Sequence, residues 1–126
     1  MELTEKERLM LVEKKAEIRK LTEDIFDLNV DVERNRVEIK KKVSGILNLF
    51  SIIASYTNSK SNLVLPLMQF AQQIFFLIDQ EPCFCRVVTT DLEIFCNSLN
   101  SITFNFTKKD LKINIQKVDF AIFKKG

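Results

Sequence analysis

Apolar residues return at every seventh position through the first half of the chain. The members of this repeat are Leu11, Ile18, Ile25, Val32, Ile39, Ile46 and Ile53. No glycine or proline occurs before Gly45 to interrupt the stretch. A seven-residue apolar repeat is typical of a long amphipathic helix, so the spacing predicts one helix over about residues 3–43.

Residues 24–43 also fit a second interpretation, a β-hairpin. Phe26, Leu28 and Val30 alternate with polar residues, as they would in a half-buried strand. The turn would fall near residues 33–36, which contain neither Asn-Gly nor Asp-Gly, and the second strand would be rich in Lys and Glu. We therefore prefer the helix and keep the hairpin as the alternative.

The length of this helix has a consequence for assembly. At about 1.5 Å per residue it would extend roughly 60 Å, whereas a compact unit made from the remaining residues would be about 30 Å across. The overhanging part should pack on another helix, because bare apolar side chains in water are unfavourable. The predicted partner or oligomer interface consists of Leu11, Ile18, Leu21, Ile25, Leu28, Val32, Asn35 and Ile39.

The charges beside the seven-residue apolar repeat indicate which kind of helix would pair with it. One edge is acidic, with Glu17, Asp24, Asp31 and Glu38 at equivalent heptad positions. An antiparallel pair of copies would bring these edges together, so a parallel homodimer is favoured and a related, more basic helix is the alternative. The stripe would instead be internal if it lay on the chain's own sheet.

The second half of the chain predicts a compact head, residues 44–126. Charge disappears after residue 43 and only Lys60 and Asp79 interrupt the apolar run to residue 80. Two apolar helices are expected, at about 46–56 and 65–80, with a polar loop between them.

From about residue 84 the apolar period changes to two. Ile102, Phe104 and Phe106 alternate with polar residues, and the same pattern follows the loop near residue 109, which predicts an antiparallel hairpin. A third strand is expected near Phe120, and residues 85–96 form either a fourth strand or a strand followed by a short helix. The predicted fold class is α+β: a long N-terminal coiled-coil-like helix and an apolar helical hairpin, packed on a small C-terminal antiparallel sheet at about 84–124.

The residue types argue against an enzyme. Histidine is absent, and glycine occurs only at positions 45 and 126, too few for a phosphate-binding loop. Cys83, Cys85 and Cys96 are one ligand short of a structural zinc site, so we expect free thiols that pack as small apolar residues. A Cys83–Cys85 disulfide would be strained on a strand, where residues two apart have Cα atoms about 6.5–7 Å from each other. No catalytic residue, metal or cofactor is predicted.

Lysines offer one further candidate site. A basic surface is possible if the end of the long helix lies near the hairpin loop, and it would consist of Lys40, Lys41, Lys42, Lys108, Lys109 and Lys112. The simpler interpretation is that these lysines are solvated and protect the sheet edges. Because the net charge is only +2 and no aromatic residues lie among the lysines, nucleic-acid binding is the weakest of the three functions considered.

The sequence start carries no secretion signal, and no run reaches the roughly 18 apolar residues of a membrane span. An odd number of cysteines fits a reducing compartment, so we expect a cytoplasmic or nuclear protein. The predicted function is a non-enzymatic structural protein that oligomerises or docks a partner through its long helix and presents a small head. The alternative is a compact binding or inhibitory factor, of viral or parasite type, that attaches to a ribosome or a host complex.

Overall fold

The computed structural model describes residues 3–56, 60–106 and 111–115. Four α-helices follow one another and two short strands come after them: α1 (Glu5–Leu28), α2 (Arg36–Ala54), α3 (Lys60–Ile78), α4 (Cys85–Asn100), β1 (Ile102–Phe106) and β2 (Leu111–Ile115). A 3₁₀ turn, Asn29–Asp31, follows α1 directly.

The single helix predicted over residues 3–43 is wrong, because α1 ends at Leu28 and α2 begins at Arg36. The hairpin alternative for residues 24–43 is wrong as well, since both flanks of the break are helical. The start of α1 is set by a capping box. The Thr4 hydroxyl accepts from the Glu7 backbone N–H at 3.1 Å, and the Glu7 carboxylate accepts from the Thr4 N–H at 3.0 Å.

Short polar side chains make the break between α1 and α2 without glycine or proline. The Asp31 carboxylate accepts from the Arg34 backbone N–H at 3.2 Å, and the Asn35 amide donates to the Leu28 carbonyl at 2.9 Å. These bonds satisfy backbone groups that a continuous helix would have paired. The backbone φ is negative at Leu28, Asn29, Val32 and Asn35, so none of these four positions requires glycine.

The break preserves the seven-residue repeat. Seven residues, 29–35, separate the two helices, so the apolar positions of α2 continue the count begun in α1. Val32, the repeat member inside the turn, is itself buried. The periodicity along the chain is therefore the same for one long helix and for two helices that fold back on each other.

The four helices form an antiparallel bundle in which each helix packs on its chain neighbour and α1 also packs on α4. The contacts that set this order join neighbouring helices or their ends: Asp24–Lys42, Lys40–Asp79, Phe70–Phe95 and Asn29–Thr89. One buried core takes side chains from all four helices. Residue 43 lies in the middle of α2, with core side chains on both sides of it in the sequence.

The predicted α+β fold class is wrong, because within the described residues the four helices supply the core and no sheet forms a layer beneath them. Residues 85–96, where a fourth strand or a strand followed by a short helix was expected, form most of α4, and the buried residues Val88, Leu92, Phe95 and Leu99 of this helix follow helical spacing. In the part of the chain that the structure describes, strand pairing is limited to β1 and β2, which pair antiparallel with Phe104 opposite Ile113. The third strand predicted near residue 120 lies outside the described residues.

The apolar helices predicted at about 46–56 and 65–80 correspond to the second half of α2 and to α3. The second of these begins earlier than predicted, at Lys60, so Pro66 lies inside α3 and not in its first turn.

Candidate functional site

The predicted interface lies inside this chain. Five of its residues form part of the core and expose less than a tenth of their surface: Leu11, Ile18, Ile25, Val32 and Ile39. Leu21 and Leu28 are half-buried and pack against the same core. Asn35 closes the turn after α1. The structure brings these residues together as packing between α1, the turn after it and its neighbours, and the five core residues are therefore not exposed to a second molecule.

The predicted basic surface is divided among ion pairs. Lys42 pairs with Asp24 at 3.2 Å, Lys40 with Asp79 at 2.8 Å, and Lys41 lies 3.8 Å from Glu38. Lys108 and Lys109 lie outside the described residues, and Lys112 is placed only as a member of β2. The three lysines of α2 point to three different carboxylates, and they do not converge on one anion site.

A stripe of exposed apolar side chains runs along α3. Leu65 is 51% exposed, Met68 40% and Phe76 67%, and Gln72 completes the row. At about 100° per residue these four positions fall within roughly 80° of one another, so they share one outer side of the helix. Phe70, which stacks on Phe95 of α4 at a ring distance of 6.3 Å, lies on the opposite side. We call Leu65, Met68, Gln72 and Phe76 the α3 stripe.

The α3 stripe is uncharged as well as apolar. No Asp, Glu, Lys or Arg occurs between Lys60 and Asp79, whereas α1 carries charged residues all along its outer sides. The first charges beyond the stripe are engaged at the end of the bundle, where Lys40 pairs with Asp79 and Arg36 with Glu81 at 2.9 Å. An outer helix face of this kind would normally be polar, and among the described residues the α3 stripe is an apolar surface that is left exposed.

A second candidate feature is an open groove of about 550 Å³ at the end of the bundle where α1 turns into α2 and α3 into α4. It mixes apolar, acidic, basic and thiol side chains, and its lining residues are Val30, Asp31, Val32, Glu33, Cys85, Arg86, Thr89 and Thr90. The Asn29 amide beside it donates to the Thr89 carbonyl at 3.1 Å, while the Asn29 Oδ1 is buried and accepts no hydrogen bond.

The three cysteines occupy two different environments. Cys83 and Cys85 lie in and just after the connection between α3 and α4 and are half-buried. Burial, and next the hydrogen bond with the Cys85 thiol, raise the pKa of Cys83 to about 11. Cys96 is fully buried in α4, 4.0 Å from the Thr22 carbonyl, and burial raises its pKa to about 12.

One carboxylate of α4 is perturbed. Burial raises the pKa of Asp91, and this effect is partly offset by the Gln73 amide, which donates to Asp91 at 3.4 Å. Asp91 is a residue of α4, and its carboxylate contacts Gln73 of α3. Within the described residues, no group of three His, Cys, Asp or Glu side chains could hold a metal ion.

The sequence predicted neither the exposed α3 stripe nor the closeness of Cys83 and Cys85. The α3 stripe had a visible signal, because α3 is heavily apolar and carries no charged residue between Lys60 and Asp79, although a bundle helix buries only one side. The closeness of Cys83 and Cys85 had no signal beyond their spacing.

Among the described residues, no helix combines the length and hydropathy needed to cross a membrane. No family model matches this chain, and neither the curated proteins nor the solved structures contain a significant match.

Proposed function

We propose that the protein is a non-enzymatic interaction protein, and that its helical bundle pairs with a second copy of itself through the α3 stripe. The observation that carries the proposal is the exposure of Leu65, Met68 and Phe76 on one side of a helix. The seven-residue apolar repeat from Leu11 to Ile53, called the heptad stripe from here on, is buried inside the bundle. Its burial supports a compact bundle, and not a projecting helix, as the interacting unit.

The arrangement of the stripe supports a second copy as the occupant. Leu65 and Phe76 lie almost equally far from the middle of the stripe, near Phe70 and Ala71. If two α3 helices cross antiparallel about a two-fold axis at that point, Leu65 meets Phe76 of the other copy, and Met68 meets Gln72. Such self-complementarity is what a two-fold symmetric interface requires.

Charge supports the same face. Pairing through the α3 stripe removes no charged group from water, since the face between Lys60 and Asp79 has none. Pairing through the outer side of α1 would bring like edges together and would desolvate many ions. The α3 face is therefore the one on which self-association costs least in desolvation.

The size of the stripe sets the expected strength. If a fully exposed side chain presents about 150–250 Å², the three apolar residues expose roughly 300 Å² per copy. With their polar neighbours, two copies would bury on the order of 1,000 Å², at the low end for a specific complex. We therefore expect a weak dimer, with a dissociation constant of about 10–500 μM.

Sedimentation equilibrium over a range of protein concentrations tests the proposal. Wild type should shift from monomer to dimer, and Phe76→Asp should remain monomeric because a charge would be buried where Phe76 meets Leu65 of the other copy. Val37→Asp is the matched control: Val37 is 68% exposed, against 67% for Phe76, but lies on α2 outside the stripe. Circular dichroism should show that both variants are folded.

Two outcomes would contradict the proposal. A wild type that stays monomeric at about 1 mM would show that a second copy does not cover the stripe. A dimer that Phe76→Asp leaves intact, or that Val37→Asp disrupts equally, would place the contact elsewhere. The first outcome would favour the alternative of a compact factor that attaches to a larger assembly. The three free thiols support a cytosolic or nuclear location for either function.

A further inference from the structure

The backbone between Cys83 and Cys85 is folded into a tight turn. Phe84, the residue between them, has φ −83° and ψ 60°. These angles match the inverse γ-turn, with φ near −75° and ψ near +65°. A residue with these angles holds its two neighbours' Cα atoms about 5.5 Å apart, which is within the 4.4–6.8 Å range of disulfides. The strain expected for two cysteines on a strand therefore does not apply.

The two cysteines are neighbours across this turn. Both thiols are free and both side chains are half-buried, and the pKa of Cys83 is raised by burial and next by its interaction with the Cys85 thiol. Phe84, between them, is 53% exposed. The turn and this interaction together indicate that the two sulfurs lie near each other.

We propose that Cys83 and Cys85 form a reversible disulfide by exchange with a small-molecule disulfide such as glutathione disulfide. Cys85 lines the open groove at the end of the bundle, so it is the sulfur that a small molecule reaches first. Cys83, which the turn holds next to Cys85, is the resolving thiol.

The exchange proceeds in two balanced steps. The Cys85 thiolate attacks one sulfur of glutathione disulfide, forming a Cys85–glutathione bond and releasing one glutathione thiolate. Cys83 then loses its proton to water and attacks the Cys85 sulfur, which forms the Cys83–Cys85 bond and releases the second glutathione thiolate. The protein loses two protons and two electrons, and glutathione disulfide is reduced to two glutathione molecules.

Cys96 serves as an internal control. Its sulfur is fully buried against the Thr22 carbonyl, so no exchange partner reaches it in the folded chain. Trypsin cleavage after Lys60, Arg86 and Lys108 separates the pair from this control. Cys83 and Cys85 fall in the peptide 61–86, and Cys96 falls in the peptide 87–108.

The test is equilibration of the full chain in glutathione buffers of increasing disulfide content, followed by acid quenching, alkylation and mass spectrometry of the tryptic peptides. The peptide 61–86 should become lighter by two hydrogens and accept no alkylating reagent, while the peptide 87–108 should remain alkylated once. Cys83→Ser should stop at the first step and accumulate one glutathione on Cys85. Cys85→Ser should form no intramolecular bond.

Stability measurements add a check on the geometry. Because the turn brings the two Cα atoms within the range that disulfides span, the oxidised protein should unfold at a urea concentration equal to or higher than the reduced one. A peptide 61–86 that keeps two free thiols in pure glutathione disulfide would overturn the proposal. A wild type that stops at a mixed disulfide, forms only bonds between chains, or is destabilised on oxidation would overturn it as well.

Discussion

Truncation of Ile39 to alanine distinguishes a stripe that stabilises the monomer from one that joins two chains. Ile39 is in the first turn of α2, belongs to the predicted interface and exposes none of its surface within this chain. If the stripe is core, its loss must weaken the fold of each single molecule. If it is a seam between copies, the loss must weaken assembly.

The expected magnitude follows from the atoms that are removed. Isoleucine to alanine deletes three methylene-sized groups, which at about 0.8 kcal/mol each gives roughly 2.4 kcal/mol of lost transfer free energy. A cavity of about 75 Å³, at about 24 cal/mol per Å³, adds up to about 1.8 kcal/mol if the neighbours do not relax. We therefore expect Ile39→Ala to lower the free energy of unfolding by about 2.4–4 kcal/mol.

The assay is urea unfolding followed by circular dichroism at several protein concentrations. Val37→Ala is the control, since it makes a β-branched-to-alanine change two residues away on a mostly exposed side chain. Its effect should stay within about 0.5 kcal/mol. The reasoning is refuted if Ile39→Ala costs less than about 1 kcal/mol, or if its cost depends on protein concentration, as it would for a seam between chains.

Three further predictions concern particular side chains. Gly45→Ala should change the free energy of unfolding by less than about 1 kcal/mol, because the gain in helix propensity is offset by a 3.2 Å contact of the new methyl group with the Leu21 methyl group. Gly45→Val should lower it by about 1–3 kcal/mol, and thermal unfolding of both variants measures the difference. Because the folded pKa of Asp91 is raised, its contribution to stability is fully present below the ordinary value of 3.8 and is lost as pH rises through the folded pKa. The Asp91→Asn variant can still accept a hydrogen bond from Gln73. Its free energy of unfolding should therefore equal that of wild type near pH 3 and exceed it at pH 7 by less than about 1 kcal/mol, and chemical denaturation at the two pH values measures this difference. In a thiol-reagent assay, Cys96 should react only after unfolding, and a fast reaction in the native protein would contradict its burial.

The helical content of the first half could be predicted, and the turn within it could not. The pattern from Leu11 to Ile53 requires an apolar helical face, and α1 and α2 both have one. The turn depends on the hydrogen bond that the Asp31 carboxylate accepts and on the one that the Asn35 amide donates. Asp and Asn also occur on the outside of uninterrupted helices, so their presence does not reveal the turn. Only the three-dimensional contacts show that these two side chains replace helical backbone bonds.

The error in α4 has a different origin. Residues 87–90 read Val-Val-Thr-Thr, four β-branched residues that favour a strand when taken alone. Val88, Leu92, Phe95 and Leu99 also repeat with the period of a helix, and packing against α1 and α3 selects that period. The local preference and the longer pattern disagree, and in this chain the pattern that buries more apolar surface prevails.

We infer that the apolar surface used for association is one that stays exposed after the bundle has packed. The heptad stripe drew attention because it was regular, yet its regularity is fully accounted for by packing inside the bundle. The α3 stripe is less regular, but the inner side of α3 already fills the core with Leu67, Ala71 and Ile74. Leu65 and Phe76 therefore contribute little to the stability of a monomer, and leaving them exposed carries a cost in water. We propose that a second copy covers them, and for that reason Phe76, on the outside of α3, is the residue whose substitution should alter assembly without altering the fold.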